Sequence, residues 1–348
     1  VGAGGAGQSA NIGLQGNASV FSSVTATGGG GGAAAWNSGS ASLGAGGVGG
    51  YFGARLVQAG VDVTFLVRPA RAARIAKDGL RISSTLGDAT LAVNVVTQDT
   101  LTTGYDLVIL TAKSYDLDSA IKAITPAMSA TSVVLPLLNG MAHLQTLDAQ
   151  FGAARVLGGV AYIAATLSAD GEIRHLNNVH RLAFGAREAA QEKICAAFAS
   201  VTQGAQLDLV HSADIVQAMW DKWVFLASLA GMTCLMRSHV GDIMQTRAGE
   251  RLMLALLHEC AAVARAEGHA PAEKVMENYR AQLTLKGSTF AASMLRDTES
   301  GGATEADHIL GALLALAQQH QQGSVLQAAA QHLRAGVVHA REHRPALS

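Results

Sequence analysis

Gly44-Ala45-Gly46-Gly47-Val48-Gly49, followed without a break by Gly50-Tyr51-Phe52-Gly53-Ala54-Arg55-Leu56 and then by Val61-Asp62-Val63-Thr64-Phe65-Leu66-Val67-Arg68, is the stretch whose reading decides the fold. The first six residues fit GxGxxG. The first glycine allows a tight turn, the second lets the backbone approach a pyrophosphate, and the third lets the helix pack on its strand. Glycine-rich sequence matches this pattern easily, and Gly2-Ala3-Gly4-Gly5-Ala6-Gly7 does so with no strand before it. Context separates the two copies, because only the second is followed by an amphipathic helix, a β-branched strand and Arg68. An acidic residue at the end of that second strand would bind the ribose 2′-hydroxyl of NAD, whereas arginine suits the 2′-phosphate of NADP. Gly44, Gly46, Gly49 and Arg68 are therefore cofactor-binding candidates, and NADP is the expected cofactor. A flexible glycine linker followed by a surface arginine is the alternative reading.

Outward from this stretch, Tyr105 to Thr111 and Ser132 to Leu138 read as further strands, short and rich in Val, Ile and Leu as strands buried on both faces are. Helices are expected at 50–59, 70–77 and 117–128. Alternating strand and helix implies a doubly wound parallel sheet, an α/β Rossmann-type domain. Val156 to Ala164, Ile173 to Leu176 and Arg181 to Phe184, with a turn at Asp170-Gly171, read as strands added to that domain. Beyond Arg187 Ala, Leu, Gln and Glu dominate, and helices are expected at 187–203, 213–235, 249–267, 271–286 and 304–321, an all-α second domain. The expected organisation is a leader over 1–42, a cofactor domain over 43–208 and a helical substrate domain over 209–348.

The leader holds 12 of the 39 glycines and no charged residue, and it reads as disordered or foreign. It has no basic n-region and no compact apolar h-region, so it does not read as a signal peptide; the opening on Val1 rather than Met suggests a truncated or altered frame. The strand that should precede Gly44 would come from Trp36 to Leu43, which is too polar for the centre of a buried sheet.

With 15% charged residues and a net charge of −1, the chain has no field to attract nucleic acid or an anionic membrane. Its longest apolar stretch, Trp223 to Met236, ends at Arg237, short of a membrane span. Cys195, Cys234 and Cys260 are widely spaced and read as buried thiols, with no metal site and no disulfide framework, which fits a reducing cytoplasm.

Five segments in order, Gly44 to Arg68, Leu107 to Lys113, Leu138-Asn139-Gly140-Met141, Met219-Trp220-Asp221-Lys222-Trp223, and Ser293 to Asp297 with Thr304 to Asp307, resemble the ketopantoate reductase (2-dehydropantoate 2-reductase) family. The likeness runs from Leu43 to about residue 320. It implies a Rossmann domain with a C-terminal domain like that of 6-phosphogluconate dehydrogenase. The implied activity is NADPH-dependent reduction of 2-dehydropantoate or a related 2-oxo acid, in cytoplasmic pantothenate biosynthesis, by a chain expected to form a homodimer. Such a reduction needs a proton for the carbonyl oxygen and donors for the carboxylate. By resemblance Lys222 is the general acid and touches substrate, Glu305 holds or tunes its ammonium, and Ser293 binds the substrate carboxylate. Asn139 bridges substrate and nicotinamide, and Lys113 sits beside the cofactor.

The residues themselves support Lys222 in part. Ile215 to Leu235 is apolar except around Asp221 and Lys222, and an ammonium there needs a partner or a purpose. Asp221 is a poor partner, because adjacent helical residues do not face each other. A lysine snorkelling from a core helix, and a Glu305 merely favoured in a first helical turn, are the bland alternatives. One departure stands out. The family carries asparagines four and eight positions after the lysine, where this chain has Leu226 and Ala230, so the pocket is expected to be less polar. A non-catalytic NADP-binding protein, or an inactive member with a defective first strand, are the competing readings.

Overall fold

The computed structural model describes residues 22–26, 46–321 and 324–342. The first domain is built on a five-stranded, all-parallel sheet of order β5-β2-β1-β6-β7, formed by β1 (Ser22–Ala26), β2 (Asp62–Leu66), β5 (Asn94–Val96), β6 (Leu107–Leu110) and β7 (Val133–Pro136). All residues of β6 and β7 are buried, as their unbroken apolar runs require when helices cover both faces. The helices are α1 (Gly47–Gln58), α2 (Pro69–Asp78), α3 (Leu117–Ile124) and α4 (Ala142–Phe151). The order reverses at β1, which lies between β2 and β6, so a crevice opens beyond the carboxyl ends of those strands.

The position of β1 differs from expectation. Ser22–Ala26 lies inside the stretch read as a leader, yet it pairs with β2 from Ser22↔Asp62 to Ala26↔Leu66 and with β6 from Ser23↔Leu107 to Ala26↔Leu110. These five residues belong to the sheet. The polar segment 36–43, from which the first strand was expected, lies outside the described residues, as does Gly44.

The added strands form a sheet of their own within the first domain. β8 (Gly158–Leu167) and β9 (Ile173–Gly185) form an antiparallel hairpin, and β9 continues into a separate sheet of order β10-β9-β3-β4 with β3 (Leu80–Ser83), β4 (Ala89–Leu91) and β10 (Asp208–His211). They do not extend the parallel sheet. The run from Ile173 to Leu176 and that from Arg181 to Phe184 are one strand, bridged by Asn177, Asn178, Val179 and His180, all at least partly exposed. Since β10 pairs with β9, residues up to His211 are tied to the first domain; α5 (Glu192–Val201) lies between these two strands in the chain.

The second domain is helical: α6 (Ile215–Met236), α7 (Val240–Ile243), α8 (Gly249–Ala266), α9 (Glu273–Leu283), α10 (Ser293–Glu299), α11 (Ala312–Gln319) and α12 (Ser324–Glu342). At its centre α6 is apolar nearly all round and buried along most of its 22 residues. Asp214 caps its start by accepting from the Gln217 N–H at 3.0 Å, and Arg237 ends it in the left-handed region at φ 48°. No described helix is long and apolar enough to cross a membrane. All three cysteines are unbridged and buried, and burial pushes the Cys260 thiol up to about 12.

Candidate active site

At the glycine turn, α1 begins at Gly47 with Gly46 as its cap residue; no side chain caps it and its first turn carries no acidic residue. Gly46 and Gly49 are buried. Space is tight at Gly47, where a Cβ would stand 2.6 Å from the main-chain carbon and oxygen of Ala165. Gly47 therefore lets the start of α1 approach β8 closely. Arg68 caps α2 just past the carboxyl end of β2; burial holds its guanidinium below the ordinary arginine range, with Asp116 opposing that fall.

Lys222 enters from the middle of α6. Its ammonium donates to Asn139 Oδ1 at 3.0 Å and to the main-chain carbonyl of Ala161 at 2.6 Å, and it lies 5.5 Å from the centre of the Tyr162 ring. Every one of these partners is neutral. Burial therefore dominates and pushes the ammonium down to about 8, although the more distant Glu305 carboxylate pulls the other way. Asp221 turns away and accepts from Gln217 at 2.8 Å. Ala161 and Ala165 both belong to β8, so Lys222 and the glycine turn meet the same strand four residues apart, roughly 13 Å along it.

The carboxylate of Glu305 faces a different lysine. Glu305 Oε2 pairs with Lys113 Nζ at 3.2 Å, and Oε1 accepts from the Ser114 N–H at 3.1 Å. Burial would raise the Glu305 carboxyl, but Lys113 and the Ser114 N–H outweigh it and hold it below its ordinary value. Likewise burial would lower Lys113, and the carboxylates of Glu305 and Asp297, the latter at 3.5 Å, raise it above its ordinary value. Lys113 follows the end of β6 and Asn139 the end of β7, both on the crevice side of the sheet. A π-helical turn, Asp307–Gly311, begins two residues after Glu305, and Trp223 Nε1 donates to the Ile309 carbonyl inside it at 2.9 Å.

Lys222, Asn139, Lys113 and Glu305 thus converge where the two domains meet. Ser293 opens α10, exposed, four residues before Asp297 and so on the same helical face. Asp297 and His308 are site neighbours that the sequence reading did not single out. Asp297 lay within a quoted motif segment and was the more accessible of the two. Leu226 and Ala230 occupy α6 one and two turns past Lys222; Leu226 is partly buried and Ala230 fully so. Among the described residues no cluster of His, Cys, Asp or Glu could hold a metal ion.

A Rossmann sheet, a helical lobe and a partly buried ammonium between them define the class, a two-domain oxidoreductase. The family is equally plain: the model for ketopantoate reductase PanE/ApbA matches residues 41–189 and that for its C-terminal domain residues 214–335, and the chain belongs to the ketopantoate reductase family. It is 37% identical to an uncharacterised oxidoreductase of Bacillus subtilis over 279 residues, 80% of this chain and 91% of that one. Among solved structures it is similar to 2-dehydropantoate 2-reductase from Geobacter metallireducens, with TM-score 0.76, 25% identity, and coverage of 91% and 99% of the two chains. It shares its fold with D-mandelate dehydrogenase in a ternary structure with NADH and anilino(oxo)acetate, with TM-score 0.78, 18% identity, and coverage of 92% and 99%.

Proposed function

We propose that this protein reduces 2-dehydropantoate or a related 2-oxo acid to the 2-hydroxy acid with NADPH, and that Lys222 is the general acid. The observation that carries this reading is an ammonium lowered to about 8 and held only by neutral acceptors between the two domains. Such a group is mostly charged at neutral pH yet gives up its proton far more readily than an exposed lysine. Ser293 takes the substrate carboxylate, and Asn139 orients both Lys222 and the substrate.

The residues around the glycine turn suit a dinucleotide. Gly46 and Gly49 carry no Cβ, the start of α1 is uncapped by side chains and carries no acid in its first turn, and Arg68 lies at the end of β2. When bound, a nicotinamide supplies hydride for the carbonyl carbon. Arg68 favours the 2′-phosphate and hence NADPH over the NADH held by the D-mandelate dehydrogenase relative. Lys113 stands beside the crevice, and its double ion pair makes it a fixed cation. On this reading the product serves pantothenate synthesis in the cytoplasm.

A less polar substrate is favoured by one set of contacts. Leu226 and Ala230 follow Lys222 on α6, and the Phe225 ring packs 4.8 Å from Tyr279 and 6.1 Å from Phe290. The deciding assay follows NADPH oxidation with ketopantoate and with smaller and more apolar 2-oxo acids. Lys222→Ala is expected to lower turnover by roughly 10²- to 10⁴-fold while leaving NADPH affinity nearly unchanged. Undiminished turnover in that variant would remove Lys222 from the chemistry.

A further inference from the structure

A pair of histidines beside this site takes no part in the chemistry above. His143, the second residue of α4, is fully buried, and its Nδ1 lies 3.3 Å from Nε2 of His308 in the π-helical turn, with ring centroids 5.5 Å apart. The contact joins the first domain to the second. The main chain of Asn139 lies beside the His308 ring and favours charge on it, less than burial disfavours it. The ring packs against Gly140, whose φ of +74° only glycine adopts readily and where a Cβ would stand 3.3 Å from His308 Cδ2. On its other side the same turn presents Asn139 Oδ1 to Lys222 at 3.0 Å.

We propose that His143 and His308 form a neutral imidazole–imidazole latch between the domains, which fixes the Asn139-Gly140 turn and so aims the Lys222 ammonium, and which acid opens by charging the rings. This rests on Lys222 being the proton donor. A hydrogen bond between two ring nitrogens carries one proton, so it survives with both rings neutral and is lost when both are charged. The surroundings disfavour charge. Burial is the leading influence on both rings and holds both below the ordinary histidine value. His143 also faces Arg187, which Asp148 of α4 pairs at 2.7 Å, and its Nε2 meets no hydrogen-bond partner among the described residues. Glu305, three residues before His308, favours charge on that ring alone, and its own oxygens are taken by Lys113 and Ser114. Below the ordinary value near 6.5, the unfolded chain therefore binds protons that the latch excludes, and the latch weakens as pH falls.

The test combines NMR of the full chain labelled with ¹⁵N at histidine and asparagine and a pH profile of turnover from about pH 5 to about pH 8, using the 2-oxo acid that the wild type reduces fastest. Both rings are expected to be neutral at about pH 7, with kcat falling on the acid side. His308→Phe should lower kcat about tenfold, leave NADPH affinity unchanged and flatten the acid limb. His308→Gln, which keeps an N–H beside the Asn139 main chain, should recover most of that loss. A cationic ring at neutral pH, or wild-type kcat and acid limb in His308→Phe, overturns the proposal. If the wild type reduces no 2-oxo acid, the proposed function fails separately. The labelled histidines then decide the latch alone, by whether the Asn139 side-chain amide shifts in step with their titration. Should His308→Phe not fold, His308→Gln and the wild-type titration carry the same decision.

Discussion

Replacing Lys222 by Met tests the electrostatic account of the site without any substrate. Methionine has nearly the same length and no charge, so packing along α6 is preserved. The fall of the ammonium from 10.5 to about 8 corresponds to about 3 kcal/mol of penalty on its charged form, at about 1.4 kcal/mol per tenfold change. Methionine escapes that penalty but strands Asn139 Oδ1 and the Ala161 carbonyl, at about 1 kcal/mol each. The sign follows from proton counting. Between 8 and 10.5 the unfolded chain holds more protons at this residue, so the wild type gains stability as pH rises through that window, and the penalty is fully present below it. The variant should therefore be about 1 kcal/mol more stable than the wild type near pH 7 and about 2 kcal/mol less stable above about pH 10. Paired thermal or urea unfolding at the two pH values reads this swing of about 3 kcal/mol, several degrees in Tm. A stability difference that stays the same at both pH values would refute the claim that Lys222 is a desolvated ammonium.

Three further outcomes are expected. Glu305→Gln removes the carboxylate that opposes the fall of Lys222, so the alkaline limb of turnover, set by loss of the Lys222 proton, should move to lower pH; an unmoved limb in the rate profile would contradict it. Gly47→Ala would drive a methyl into the Ala165 backbone at 2.6 Å, and a loss of about 1–3 kcal/mol in unfolding free energy is expected, together with weaker NADPH binding by titration. Arg68→Ala should erode the preference for NADPH over NADH by about tenfold or more in kcat/KM, with NADH kinetics nearly unaltered.

Much of this arrangement was legible in the residues. β6 and β7 announced themselves as unbroken apolar runs, and α6 and α8 as long segments rich in Ala and Leu, so their bounds fall within a few residues of expectation. β1 was not legible, because Ser22-Ser23-Val24-Thr25-Ala26 is no more apolar than its surroundings, and its place is defined by backbone pairing to β2 and β6. β3, β4 and β5 have only four, three and three residues, too few for a period to register. At the site, Lys222 stood out as a charge in an apolar helix. His143 and His308 did not, since a histidine in a mixed segment has no signature until the fold brings its partner from 165 positions away.

The pairing of Glu305 with Lys113 rather than with Lys222 gives two lysines at one crevice opposite fates. Lys113 has two carboxylates within 3.5 Å and is held charged above its ordinary range. Lys222 has an amide oxygen, a peptide carbonyl and an aromatic ring, and its charge is disfavoured by burial. Had Glu305 sat directly on Lys222, that ammonium would have been stabilised and its proton withheld, as the proton of Lys113 is. Its distance allows it to temper the fall of Lys222 without cancelling it. Environments that push like groups apart are how a site divides binding from proton transfer. On the proposed chemistry Lys113 is the cation that stays charged, and Lys222 the one that can lose its proton to an incipient alkoxide.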